Sequence, residues 1–238
     1  MSADPQPARR TAAVFFDVDF TLIYPGPTFQ GEGYERFCAQ HGMTVYRHRF
    51  GHAVRAASVI LDAQQEHVYD AEIFVHYTCR IIEAMGGSGT GVERAARDIY
   101  DAWSACHHFE MYEDVPDVLR ELHGAGYKIG LISNTQRSLT AFQTHFALEG
   151  LFAASVSSFD HGYMKPHRSI FEAALRQVET APHEAMMVGD SLPADIAGAL
   201  GLGMRAVLVS RSGHLNPAHT CPDEVPVIRS LRELPALL

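Results

Sequence analysis

Cysteine is scarce in this sequence and scattered, at Cys38, Cys79, Cys106 and Cys221, with no C-x-x-C pair. That spacing excludes a disulfide framework and a zinc knuckle, and it suits reduced thiols in a reducing compartment. Runs of basic residues are missing as well. Lys and Arg number 19 against 28 Asp and Glu, a net charge of −9 with histidine neutral. Neither a nucleic-acid partner nor an anionic membrane surface is expected on that balance. Nor is any apolar stretch fit to cross a bilayer. From Ser138 to Phe159 the only Asp, Glu, Lys or Arg is Glu149, but Ser, Thr, Gln and His interrupt the apolar residues too often for a lipid-facing helix. Arg9 and Arg10 precede an apolar run that ends at Asp17, too soon for a secretory leader. The expected location is the cytoplasm.

What is present is the composition of a globular chain. It is 47% hydrophobic and 20% charged over 238 residues, enough to bury roughly 70–75% of the unfolded surface. Residues 1–10 read as a disordered polar leader. Val14, Phe15 and Phe16 then form a short apolar run closed by acidic residues, the pattern of a strand buried on both faces in a parallel sheet. Similar runs recur at 127–133, 185–189 and 205–210, with a weaker one at 153–157. Helical patterns alternate with them: one capped by Asp114, one over 138–148, one opened by Pro166, and one over 194–202 stopped by Gly203. The alternation predicts an α/β fold, a doubly wound, Rossmann-like parallel sheet.

Residues 25–110 break this scheme. They carry helical patterns at 34–41, 53–64, 71–85 and 92–105, a Gly-rich break at 86–89, and no convincing strand. An all-helical block placed after the first strand reads as an inserted cap domain over 25–110, with 1–24 and 111–238 forming the α/β catalytic core. Pro25-Gly26-Pro27 and residues 107–113 are the expected hinges.

Ligands of open parallel sheets bind at the carboxyl ends of the strands. Those ends carry Asp17 and Asp19 after the first strand, Ser133 and Asn134 after the second, and Asp190 after the fourth, while Lys165 opens the helix that follows the third. Carboxylates, a hydroxyl and one ammonium on one edge suit a divalent cation together with a phosphoryl group. Hard oxygen donors in modest number suit Mg²⁺, and Lys165 with backbone amides near Phe20 and Asn134 would hold phosphate oxygens. Asp17 and Asp19 stand two apart, on one side of an extended backbone. The carboxylate touching Lys165 and Mg²⁺ would stay ionised, and the other, disfavoured by like charge, would hold a proton.

The segments DVDFTL (17–22), ISN (132–134), Lys165-Pro166 and GDSLPAD (189–195) resemble, in order and spacing, the four motifs of the haloacid-dehalogenase-like (HAD) hydrolase superfamily. The resemblance implies a phosphatase in which Asp17 is the nucleophile and forms an aspartyl-phosphate. Asp19 would protonate the leaving oxygen and then activate water. Ser133 and Asn134 would meet the phosphate, Lys165 would neutralise charge, and Mg²⁺ would be held by Asp17, the Asp19 carbonyl and Asp190. Asp195 and Thr21 would stand behind these groups as supports. The helical insert is similar to the cap of the phosphatase and dehalogenase branch. Phe20 departs from the motif, which usually has Gly there.

Other features read as structural. His48 and His52 lack a third ligand, His107 and His108 would diverge, and His183-Glu184 meets Met187 where an H-E-x-x-H pattern needs histidine. Tyr34, Phe37, Tyr77, Ile81 and Trp103 read as helix packing rather than a substrate box, and Arg47, His48 and Arg49 as a solvated loop. The expectation is a Mg²⁺-dependent hydrolase of a small phosphorylated metabolite. A 2-haloacid dehalogenase and a non-catalytic binding protein are the alternatives; the oligomeric state is left open.

Overall fold

The computed structural model describes residues 11–62, 65–211, 213 and 220–238. The leader expected at 1–10 lies outside them, as does the end of the helix expected over 53–64. The strands are β1 (Ala13–Phe16), β2 (Ile23–Pro25), β3 (Phe109–Met111), β4 (Lys128–Ser133), β5 (Ala154–Ser157), β6 (Ala185–Gly189), β7 (Arg205–Val209) and β8 (Val227–Ile228). Six of them form one parallel sheet in the order β5-β4-β1-β6-β7-β8.

β1 is central because its run is apolar on both faces. Val14 and Phe16 pack into one core, Ala13 and Phe15 into the other, and all four are fully buried. Each phenylalanine contributes roughly 1.5–3 kcal/mol by leaving water. Phe16 stands beside Leu131 of β4 and Val188 of β6. That register brings the carboxyl ends of three strands together, so Asp17, Ser133 and Asp190 leave the sheet as neighbours.

Helices α1 (Gly31–Gln40), α2 (Phe50–Ala57), α3 (Val59–Asp62), α4 (Ala71–Ala84) and α5 (Gly91–Trp103) lie between β2 and β3. The single helix expected from 53 begins three residues earlier and is broken at Ser58. β2 and β3 were not expected: they form an antiparallel ribbon pairing Ile23 with Met111 and Pro25 with Phe109. Strands of three residues are too short to show an alternating pattern, and a proline is tolerated on such an edge. The first expected hinge therefore begins inside a strand. Gly26 donates its N–H to His108 O at 2.8 Å and closes the ribbon.

Beyond β3 come α6 (Val115–Gly124), α7 (Leu139–His145), the single turn α8 (Ser158–His161), α9 (Arg168–Gln177) and α10 (Ala197–Gly201), which alternate with the strands. Three helix starts differ from the sequence reading. Asp114 does not cap α6; its carboxylate accepts from Arg211, Ser230 Oγ and the Leu231 N–H at 2.6–2.7 Å. A side chain offered stronger charged partners abandons the local cap. Pro166 follows a cis peptide, and α9 starts after it with His167 as its cap. Before α10, Leu192–Ile196 forms a π-helical turn in which Ile196 N–H reaches Ser191 O at 3.2 Å.

Candidate active site

The chain leaves β1 under restraint. Asp17 N–H donates to Val188 O at 2.9 Å, and Leu22 and Ile23 N–H both reach back to Val18 O. This tight turn drives Phe20 to φ 65°, in the left-handed region. Only glycine takes that conformation without a steric cost, which is the physical reason a glycine is usual there. Phe20 is 44% exposed, and its ring lines the cavity above the strand ends.

Lys165 is buried beneath Asp17 and spends all three of its donors. Its Nζ lies 2.6 Å from Asp17 Oδ1, 2.6 Å from Asp195 Oδ1 and 2.7 Å from Ile132 O. Burial alone would discharge it; the two carboxylates outweigh that and hold it firmly protonated. Asn134 places Lys165 by its backbone, accepting from Lys165 N–H at 2.7 Å and donating to Lys165 O at 3.0 Å. The Asn134 side-chain amide is thus engaged with the chain, and the phosphate contact expected near Asn134 is one of backbone amides.

Burial pushes the Asp17 carboxyl up to about 7, against the pull of Lys165 and with a further push from Asp195. Asp190 lines the cavity and keeps an exposed surface there. Removal from bulk water, and then Asp17 and Asp195, hold it well above the usual carboxylate range. Oxygens of Asp17, Asp190 and Asp195 lie within 4.8 Å of one another. Asp195 is not a free donor, since its Oδ1 is on Lys165 and its Oδ2 accepts the Ser191 N–H at 3.0 Å. Gly189 makes this possible: a Cβ there would stand 2.2 Å from Asp195 Oδ2. Asp17 and Asp190 remain, two crowded carboxylates with raised proton affinity. Such a donor set fits a small hard divalent cation that keeps waters of its own.

Asp19 has different company. Its Oδ1 accepts from Arg137 Nη1 at 2.8 Å, and its Oδ2 lies 3.4 Å from the Trp103 indole nitrogen. Arg137 is wholly buried, donates to Trp103 O at 2.9 Å and stacks 4.0 Å above the Phe109 ring. The two carboxylates of the first motif are therefore separated by their partners, an ammonium for Asp17 and a guanidinium for Asp19. Mutual crowding is not what distinguishes them. Sequence reasoning missed Arg137; its closeness to ISN was the available signal, but nothing local showed that it is buried.

Ser133 is buried at the end of β4 and lines the cavity with Asp17, Asp19, Asn134, Lys165 and Asp190. Thr21 stands apart from it: its hydroxyl is buried with no partner among the described residues, and its carbonyl accepts from Arg211 at 2.7 Å. The cavity measures about 560 Å³ and extends from these groups up between the helices. Tyr34, Tyr77, Ile81 and Trp103 line it, although they were read as packing residues; Phe37 is not among the lining.

A family model described as haloacid dehalogenase-like hydrolase matches residues 11–203. The N-acylneuraminate-9-phosphatase of Homo sapiens is 28% identical over 236 residues, covering 96% of this chain and 94% of that protein. The glyceraldehyde 3-phosphate phosphatase of Methanothermobacter thermautotrophicus is 34% identical over 103 residues, 42% of this chain and 44% of that protein. Among solved structures, a HAD phosphatase from Thermococcus onnurineus shares the fold with a TM-score of 0.65 at 23% identity, covering 95% of this chain and 97% of that one. Four motifs in order, their convergence at one sheet edge and the family match agree: this chain belongs to the haloacid dehalogenase-like hydrolase family.

Proposed function

We propose that the protein is a Mg²⁺-dependent phosphomonoester hydrolase acting on a small phosphorylated metabolite through an aspartyl-phosphate at Asp17. The observation that carries this reading is the pairing of Asp17 with Lys165 at 2.6 Å, beside Asp190 and at the floor of a cavity. Lys165 takes one carboxylate oxygen of Asp17 and leaves the other to attack phosphorus. As the new Asp17 O–P bond forms, the ester P–O bond breaks and the leaving oxygen takes a proton from Asp19. Asp19 then takes a proton from water, which attacks the acyl phosphate and releases inorganic phosphate with Asp17 restored. Ser133 would donate to a phosphate oxygen throughout.

Asp17, Asp190 and the Asp19 carbonyl would hold Mg²⁺, whose charge neutralises the phosphate and keeps Asp17 ionised. Residues 25–110 would serve as a cap that closes over the bound ester and excludes water. All four cysteines are free thiols, and no helix among the described residues is long and apolar enough to cross a membrane. Both observations support a cytoplasmic location.

Phosphate release from an alkyl phosphate, followed with chelator and then with added Mg²⁺, tests the reading. Activity should vanish and return; full turnover in chelator would overturn the Mg²⁺ dependence, and no phosphate release under either condition would sink the phosphatase reading.

A further inference from the structure

The cavity is not built alike at its two ends. At the floor stand the acidic groups and Lys165; towards the helices the wall is aromatic and aliphatic, with Phe50, Ile73, Phe74, Tyr77 and Ile81 facing the space. Lys165 is the one Lys or Arg among the described lining residues, and its three donors are already taken. His67 also lines the space, but burial and the nearby His167 push its pKa down, so it offers no positive charge at neutral pH.

Polar groups in the upper wall are largely turned inward on the protein. Tyr69 and Tyr100 share one hydroxyl–hydroxyl hydrogen bond of 2.5 Å. Thr78 donates to Phe74 O at 2.9 Å, and Gln136 Nε2 donates to Tyr100 O at 2.5 Å. A substrate rich in hydroxyls would give up its water here and find few partners in return. A second anionic group would find no free Lys or Arg among the described lining residues. Several large side chains are only half-buried by the protein itself, Phe50, Ile73, Phe74 and Tyr77 among them, and apolar contact from a ligand would complete their burial.

We propose that the substrate is a phosphomonoester whose alcohol part is apolar, aliphatic or aromatic, with no second anionic group. This rests on the phosphatase reading above and narrows it. It also separates this chain from the substrate in the human relative's name, since an acylneuraminate carries a carboxylate and several hydroxyls.

The full-length protein with Mg²⁺ should be assayed on straight-chain alkyl phosphates from ethyl to hexyl, whose leaving alkoxides are chemically alike, and on N-acetylneuraminate 9-phosphate. kcat/KM should rise by about fourfold per methylene, and hexyl phosphate should exceed ethyl phosphate by about 10²-fold. The sugar-acid phosphate should fall below hexyl phosphate. A flat chain-length series, or preference for the sugar acid, would overturn the proposal while leaving the phosphatase reading intact. If no ester is cleaved, the phosphatase reading fails, and calorimetric titration of the same esters decides the present one: Kd should tighten along the series, and equal values would refute it. Ile73→Lys places a cation in the apolar wall, away from the reacting groups. It should lower kcat/KM for hexyl phosphate at least tenfold, and raise it for a hexyl phosphate bearing a terminal carboxylate. No change in that ratio would count equally against the proposal.

Discussion

Arg137 and Asp19 are 118 residues apart in sequence and 2.8 Å apart in space. The guanidinium also holds Trp103 O and stacks on Phe109, so one buried side chain joins the proposed acid to the end of α5 and to β3. Asp19 is thereby held in one orientation before any substrate arrives.

Replacing the guanidinium should expose that role. Arg137→Met keeps much of the volume and removes the charge-assisted bonds, costing about 1.5–3 kcal/mol of stability. Proton donation matters for a basic alkoxide and little for a nitrophenolate. A misplaced Asp19 should therefore depress kcat for an alkyl phosphate more than for an aryl phosphate. Equal losses on both, measured beside the melting temperature, would reduce Arg137 to a purely structural residue.

Asp17 and Asp19 are separable by their own variants. Asp17→Asn should abolish turnover and leave no phosphoenzyme, because an amide is a poor nucleophile. Asp19→Asn should lose roughly 10²–10⁴-fold on alkyl phosphates. On an aryl phosphate it should release one burst of phenol per site and then stall with phosphate trapped on Asp17. Rapid-quench phenol release and hydroxylamine sensitivity of the trapped phosphate check both outcomes.

Gly189 stands where a methyl group would collide with Asp195 at 2.2 Å. Gly189→Ala must push Asp195 off Lys165 or open the β6 strand, at a cost of about 1–3 kcal/mol. Activity should fall further than the loss of folded protein explains, because Lys165 loses one of its two carboxylates. Retained kcat in the folded fraction, counted by circular dichroism, would contradict this coupling.

Phe20 sits at φ 65° with much of its ring in the open. Phe20→Gly removes a left-handed strain of roughly 1–2 kcal/mol and gives back part of it as backbone entropy. A net gain of a few tenths to about 1 kcal/mol in urea unfolding is expected. A loss of stability would show that the ring contributes more than its exposure suggests.

Asp114 contributes one part of the pH dependence of folding. Burial would raise its pKa, but hydrogen bonds from Arg211, Ser230 and Leu231 prevail and hold it below the usual carboxylate value. A depressed folded-state pKa contributes stability that is complete above the unfolded value of about 3.9 and is lost as pH falls through the folded one. Asp114→Asn should cost about 1.5–3 kcal/mol at pH 7, and the gap to the parent protein should shrink below about pH 4. A gap independent of pH would assign the loss to shape rather than charge.

The core strands and their acidic ends were legible in the sequence because each rests on a short local pattern. A run such as Val14–Phe16 can satisfy its apolar side chains only inside a parallel sheet, and the residue that ends it must then stand at the sheet edge. Asp17, Ser133 and Asp190 could all be placed in this way, whereas Lys165 lies between the end of β5 and the start of α9 rather than opening that helix. Contacts between distant segments could not. That Asp114 turns from its helix to Arg211, that Asn134 grips the Lys165 backbone, and that Arg137 meets Asp19 each depend on which partner is offered from far along the chain. The ribbon of β2 and β3 was hidden for a related reason, since three-residue strands have no periodicity until they pair. Tyr34, Tyr77, Ile81 and Trp103 show the same division. An apolar helix face looks identical in sequence whether it meets another helix or an open cavity, and only the packing of the helices decides which it meets.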